Sequence, residues 1–312
     1  MSLLDLPSEL VLITVTFLET ERDINSLCLT NRRFYSLLNS YLYRINSCSS
    51  RPALVWATLQ GKEGTARMSI QEGAEPEWMD GHGRGLICLA VKSRHDAIVR
   101  ILLETGKINI DLRDSEGRTP LSWAASRGYK AAVQLLLLVG NAHVDSKDYD
   151  GRTPLSRAAE HGREEIVRLL LESRKVEVDS KDYEGLTPLC WAAEWSHEGV
   201  MKLLIETGKV NMDSKDSKGR TPLSRAASSG SSCYKAAVQL LLSTGKVEVD
   251  IKDYGGRTPL SWAAEFGREG IVKLLLQTGK VDVGSKDNEG LTPLCWAARN
   301  DHEEVVEMLL GF

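Results

Sequence analysis

Histidine followed by glutamate occurs at His197-Glu198 and again at His302-Glu303. That dipeptide opens the helical zinc motif of metallohydrolases, which needs a second histidine one turn on to complete a metal-binding face. Met201 and Val306 stand there instead, so the spacing excludes that site. The six cysteines, at 28, 48, 88, 190, 233 and 295, contain no C-x-x-C pair and no regular framework, and they read as reduced thiols. The glycines punctuate a repeat and do not gather into a phosphate-cradling loop. No catalytic constellation, cofactor or metal is expected, and the chain reads as a non-enzymatic binding protein.

Tryptophan and arginine are the side chains most enriched at interface hot spots, and here they recur in register. One position in a repeated phrase is Trp123, Arg157, Trp191, Arg225, Trp262 and Trp296, with Trp56 and Leu89 in two degenerate copies. Trp195 and Phe266 lie a turn further on. Together Trp123, Arg157, Trp191, Trp195, Arg225, Trp262, Phe266 and Trp296 are the candidate contacts for a protein target. The same recurrence is also what packing between neighbouring repeats would produce, and the sequence leaves both readings open. Arg118, Arg152, Arg220 and Arg257 precede the phrase. They either favour an acidic or mixed-charge partner or pair with Asp150, Glu184 and Glu289.

The phrase that places these residues is Gly-x-Thr-Pro-Leu-[Ser/Cys]-x-Ala-Ala. Its threonines are Thr119, Thr153, Thr187, Thr221, Thr258 and Thr292, spaced 34 residues apart except for Thr221 and Thr258, which are 37 apart. A threonine hydroxyl caps a helix, and proline fits the first helical position, where no amide partner is lost. Leu155, Ala158 and Ala159 then give a short first helix a small-residue face. Gly162 suits a left-handed residue at its end. Ile166, Val167, Leu169 and Leu170 recur at helical spacing on a second helix. Asp148-Tyr-Asp-Gly151 is turn chemistry, forming a finger between repeats. Degenerate copies begin near Pro52 and Gly85, giving about eight repeats, and stacking is what buries faces that one repeat cannot bury alone.

A longer period lies above the short one. Tyr129–Leu137 recurs identically at Tyr234–Leu242, and Gly185–Ala193 at Gly290–Ala298, both 105 residues on. A duplicated block of three repeats plus a three-residue insertion, Ser231-Ser-Cys233, accounts for it.

Residues 52–312 closely resemble the ankyrin repeat. The resemblance implies an all-α solenoid of helix-turn-helix repeats with short finger loops, binding protein along fingers and first helices. Two departures stand out. The family's usual histidine after Thr-Pro-Leu is Ser122, Ser156, Cys190, Ser224, Ser261 or Cys295, so its ties between neighbours must be weaker or different. One extra finger residue gives the period of 34, a variant similar to ankyrin arrays of filamentous fungi.

Residues 1–45 lack the phrase and read as three helices. Leu6-Pro7-Ser8-Glu9-Leu10, Ile13, Leu18, Asp23-Ile24, Leu27, Leu29, Arg32-Arg33-Phe34 and Leu37-Leu38 resemble the F-box, which binds the Skp-type adaptor of SCF ubiquitin ligases. The resemblance implies adaptor contacts at Leu6, Pro7, Leu10 and Ile13, and a substrate receptor with no catalytic residue of its own. A helical cap on the array is the other reading, leaving a stand-alone interaction scaffold. Residues 46–51 form a short linker.

Net charge is −4, which argues against a non-specific nucleic-acid binder, since that role needs a basic excess to displace counterions. The longest apolar run near the start, Leu10–Leu18, is broken by Thr14 and Thr16 and is too short to span a bilayer. With Asp5 and Glu9 where a signal peptide carries basic residues, the expectation is an intracellular protein, cytoplasmic, nuclear or both, without membrane partners. The last helix, with Asp301, Glu303, Glu304 and Glu307, is expected to tolerate exposure.

Overall fold

Each Thr-Pro dipeptide starts a helix, for the reason its chemistry gives. The hydroxyl oxygens of Thr119, Thr153, Thr187, Thr221, Thr258 and Thr292 accept the backbone N–H three residues on, at 3.2–3.3 Å. The threonine backbone is extended while proline enters the first turn. In the computed structural model, which describes residues 53–139, 142–229 and 234–312, these starts belong to an all-helical chain of sixteen helices among the described residues. Residues 1–52, and with them the three-helix segment, the linker, and Leu6, Pro7, Leu10 and Ile13, lie outside the described residues, as does the Ser231–Cys233 insertion.

The chain divides into two compact parts, one ending at Ser115 and the other running Glu116–Phe312. The described portion of the first part holds α1 (Ala53–Gln60), α2 (Glu63–Gln71), α3 (Leu86–Lys92) and α4 (Asp96–Glu104). Here α1 packs on α2 and α3, and α4 on α2 and α3. Buried Leu54, Leu86, Ile98 and Leu102 form the core between them.

The second part contains six helix pairs. First helices are α5 (Pro120–Arg127), α7 (Pro154–Glu160), α9 (Pro188–Glu194), α11 (Pro222–Ser228), α13 (Pro259–Glu265) and α15 (Pro293–Arg299). Second helices are α6 (Lys130–Val139), α8 (Glu164–Glu172), α10 (Glu198–Glu206), α12 (Tyr234–Ser243), α14 (Glu269–Gln277) and α16 (Glu303–Leu310). First helices stack on first helices and second on second. Ala158 and Ala159 permit the close first-helix approach and are fully buried, with Leu155, Ile166, Val167 and Leu170 filling the layer behind them.

Glycine is required where the fingers and corners meet. Gly151 has φ +79°, and an added Cβ would fall 2.7 Å from the Tyr183 backbone nitrogen of the next finger. Gly162 has φ +65° and lies under the His197 ring, where a Cβ would meet Nδ1 at 2.6 Å. The ring nitrogen Nε2 of His197 is hydrogen-bonded at 3.0 Å to the Glu160 carbonyl at the end of the preceding first helix. His302 does the same with Glu265, and Arg163 Nε donates to the Ser126 carbonyl at 3.1 Å.

The residues replacing the family histidine bond inside their own repeat. The hydroxyl of Ser156 lies 3.1 Å from that of Thr153, and the Thr187 hydroxyl donates to Cys190 Sγ at 3.3 Å. Neighbouring repeats are tied elsewhere. Tyr183 N–H donates to Asp150 O at 3.0 Å, Ser217 N–H to Glu184 O at 2.7 Å, and Tyr254 N–H to Lys218 O at 3.0 Å. A lysine ladder runs alongside: Lys147, Lys181, Lys215 and Lys252 each donate from Nζ to the carbonyl of the next lysine in the row, at 2.7–2.9 Å.

A second set of ties involves carboxylates. Asp179 Oδ2 accepts the Asn211 N–H at 3.0 Å and Asp250 Oδ2 the Asp282 N–H at 2.6 Å, while the Oδ1 atom of each is buried without a hydrogen-bond partner. Burial raises the pKa of both above the ordinary carboxylate value. A raised folded-state pKa means stability is greatest below the unfolded-state value and falls as pH rises through the folded one. Asp179→Asn keeps an acceptor for Asn211 and removes the buried charge. It is expected to raise the melting temperature at pH 7, with the gain shrinking towards pH 4. A lower melting temperature at pH 7 would contradict this.

Among the described residues nothing covers the stacking face of the last repeat. Leu186, Leu189, Cys190 and Ala193 are fully buried, whereas their counterparts Leu291, Leu294, Cys295 and Ala298 are partly or fully exposed. Cys88 and Cys190 are buried and Cys295 is exposed, none of the three in a disulfide.

Candidate functional site: the finger and first-helix face

Every finger in the second part is built around one aspartate. The Oδ1 of Asp148 accepts the backbone N–H groups of Asp150 and Arg152, and Asp182, Asp216, Asp253 and Asp287 repeat the pattern with their own fingers. Its Oδ2 faces the Trp/Arg column nine residues on. Trp191, Trp262 and Trp296 donate their indole N–H to Asp182, Asp253 and Asp287 at 2.8–2.9 Å. Arg157 donates to Asp148 at 2.7 Å, and Arg225 to Asp216 at 2.9 and 2.6 Å. Tryptophan and arginine are thus interchangeable here as N–H donors to a buried carboxylate.

Burial and the donor together bear on the carboxylate's electrostatics at Asp182 and Asp216. At Asp182 burial pushes the pKa up, and backbone N–H groups with a neutral indole do not offset it. At Asp216 burial pushes the same way, but the Arg220 backbone N–H and the Arg225 guanidinium outweigh it and hold the carboxyl below its ordinary value.

The finger arginines lie against the indole faces. Arg118 sits 4.0 Å from the Trp123 ring centre, Arg152 4.3 Å from Trp191, and Arg257 between Trp262 at 4.7 Å and Trp296 at 3.8 Å, within cation–π range. Their ion pairs differ from the sequence expectation of Asp150, Glu184 and Glu289. Arg118 pairs with Glu116 at 2.6 Å, Arg152 with Glu160 at 3.1 Å, Arg220 with Asp216 at 3.3 Å and Arg257 with Glu265 at 2.7 Å. For Arg152 and Arg257 the first-helix end supplies the partner, whereas Arg118 and Arg220 pair within their own fingers.

The eight candidate target contacts separate by exposure. Trp123, Trp191, Trp296 and Arg225 are buried, and Arg157 and Trp262 are half-buried. Trp195 and Phe266, which end α9 and α13, are 52% and 41% exposed. Phe266 stacks on Trp262 with centroids 6.1 Å apart, so surface and column are continuous there. In the first part Leu89 is buried and Trp56 exposed. The finger tips add exposed Tyr149, Tyr183 and Tyr254.

The duplicated block shows where its copies have diverged. Core pairs are identical: Leu155 and Leu260, Ala158 and Ala263, Ile166 and Ile271, Leu170 and Leu275. At the column Arg157 stands against Trp262 while Trp191 and Trp296 match, and at the first-helix ends His161 stands against Phe266, Glu194 against Arg299 and Trp195 against Asn300. The tip pair Tyr183 and Asn288 differs too. Among the described residues no group of three or more His, Cys, Asp or Glu side chains is placed to hold a metal, and no helix is long and apolar enough to cross a membrane.

Stacked helix pairs joined by aspartate-built fingers define a protein-interaction array. A family model of ankyrin repeats in three copies matches residues 54–148, 106–182, 126–216, 174–253, 208–287 and 232–312, and the chain belongs to the ankyrin-repeat family. No curated protein matches the chain.

Proposed function

We propose that the chain is a substrate receptor of an SCF-type ubiquitin ligase. Its finger and first-helix face holds a protein target while residues 1–45 engage a Skp-type adaptor. The observation that carries target binding is the exposure of Trp195, Phe266 and the finger-tip tyrosines on the finger and first-helix face. Large aromatic side chains in contact with water favour a partner that covers them. The adaptor role rests on Leu6, Pro7, Leu10 and Ile13 and the F-box-like string around them. Transfer chemistry belongs to other subunits, so the chain needs no catalytic group, and it acts in the cytoplasm, the nucleus or both.

Co-expression with a Skp-type adaptor tests the adaptor half. The wild-type chain is expected to co-purify with it, and Leu10→Asp, folded by circular dichroism, is expected to lose it. Failure of the folded wild type to bind an adaptor that captures another F-box protein would leave an interaction scaffold with a helical cap.

A further inference from the structure

One row of finger-tip residues changes character along the array. It reads Glu116, Asp150, Glu184, Lys218, Gly255, Glu289. Where acid gives way to lysine and glycine, a groove of about 550 Å³ opens, walled by Lys218, Arg220, Tyr254, Arg257 and Trp262, with Glu289 at its far edge.

The residues explain the opening. In the fourth repeat Asp150 reaches Arg157 at 3.3 Å and closes the equivalent place, whereas Gly255 has no side chain to do so and Trp262 stays half-exposed. In the fourth and seventh repeats the finger arginine is held by a glutamate eight residues on, Glu160 or Glu265. The residue eight after Arg220 is Ser228. Arg220 therefore leans at 3.3 Å on Asp216, whose Oδ2 is already taken by Arg225 at 2.6 Å. The acids at the groove floor, Asp253 and Asp287, are turned inward on backbone N–H groups and the Trp262 and Trp296 indoles. The exposed charge on the wall formed by the sixth repeat is cationic.

We propose that this groove binds an extended acidic peptide segment, setting carboxylates against Lys218 and Arg220 and one apolar side chain on Trp262. The proposal rests on the receptor reading and deepens it by naming the partner's chemistry. Glu116, Asp150 and Glu184 repel such a segment elsewhere along the row, and Glu289 opposes it at the far edge of the groove, so charge fixes its register towards Lys218 and Arg220.

The row supplies the test variants, since each substitution places a residue that another repeat carries at that position. Anisotropy of a fluorescein-labelled peptide of glutamates around one leucine would be measured with the full chain. Saturable binding that weakens with salt is expected. Gly255→Glu and Lys218→Glu are each expected to weaken it about ten-fold, and Glu289→Lys to strengthen it about three-fold. Equal affinity for a matched lysine peptide would overturn the proposal, as would unchanged affinity in Gly255→Glu unfolding as wild type. If a protein nevertheless crosslinks to a probe at position 195, target binding stands and only the groove assignment falls.

Discussion

Asp216→Ala is expected to destabilise the array by about 3–5 kcal/mol, the usual cost of removing one partner from a buried ion pair. The carboxylate is fully enclosed and accepts two finger N–H groups as well as Arg225. Without it Arg225, nearly buried itself, keeps only Glu194, at 2.5 Å. Urea unfolding would measure the loss, and a cost below about 1 kcal/mol, the level of an exposed pair, would contradict the role assigned here.

The pH dependence carries a sign. Because the Asp216 pKa is held down in the fold, its contribution is present above the unfolded-state value and is lost as pH falls through the folded one. Arg225→Trp installs the column's other donor and removes the guanidinium bonded to Asp216, leaving Arg220 at 3.3 Å as its nearby cation. The variant is expected to fold, with less of the Asp216 contribution to lose on acidification than in the wild type. Chemical denaturation from pH 7 to pH 3 on both proteins would show whether the acid limb moves.

Gly151→Val is expected to cost more than about 3 kcal/mol, combining left-handed strain with a lost hydrogen bond. The Cβ would strike backbone in the next finger, and that finger must withdraw, taking with it the Tyr183 N–H bond to Asp150. Stability in a repeat array is largely a sum of repeat and interface contributions, so a broken interface is also expected to broaden or split the unfolding transition. Gly290 is the internal control. It has nearly the same φ, +78°, with nothing within 4 Å of an added Cβ. Gly290→Ala is expected to cost about 1 kcal/mol from conformation alone. Equal losses in the two variants would show that finger contact contributes nothing.

Much of this architecture is legible in the sequence because the signals are local. Thr153 and Pro154 fix a helix start through capping chemistry, and Ile166, Val167 and Leu170 mark a buried face by spacing alone. The Trp/Arg column is legible as a pattern but not as a structure. Its two residue types suggest a binding surface, and the fact that both can donate an N–H to one aspartate nine residues earlier appears only once the finger folds back. The signal was present, since Asp148, Asp182, Asp216, Asp253 and Asp287 keep that offset. Nor does sequence separate exposed Trp195 from buried Trp191: the difference is four positions on a short helix, decided by what the neighbouring finger covers. The finger arginines mislead for the same reason, because sequence proximity to Asp150 does not reveal that Glu160 is in reach of Arg152.

The central claim is that the finger and first-helix face, rather than the second helices, holds a protein. A photo-crosslinking amino acid placed in turn at Trp195, Phe266, Arg168 and Lys202, followed by irradiation of the native cell and identification of adducts, tests it directly. Arg168 and Lys202 are exposed on α8 and α10. Protein adducts at positions 195 and 266 and none at 168 and 202 are predicted; adducts confined to 168 and 202 would contradict the account.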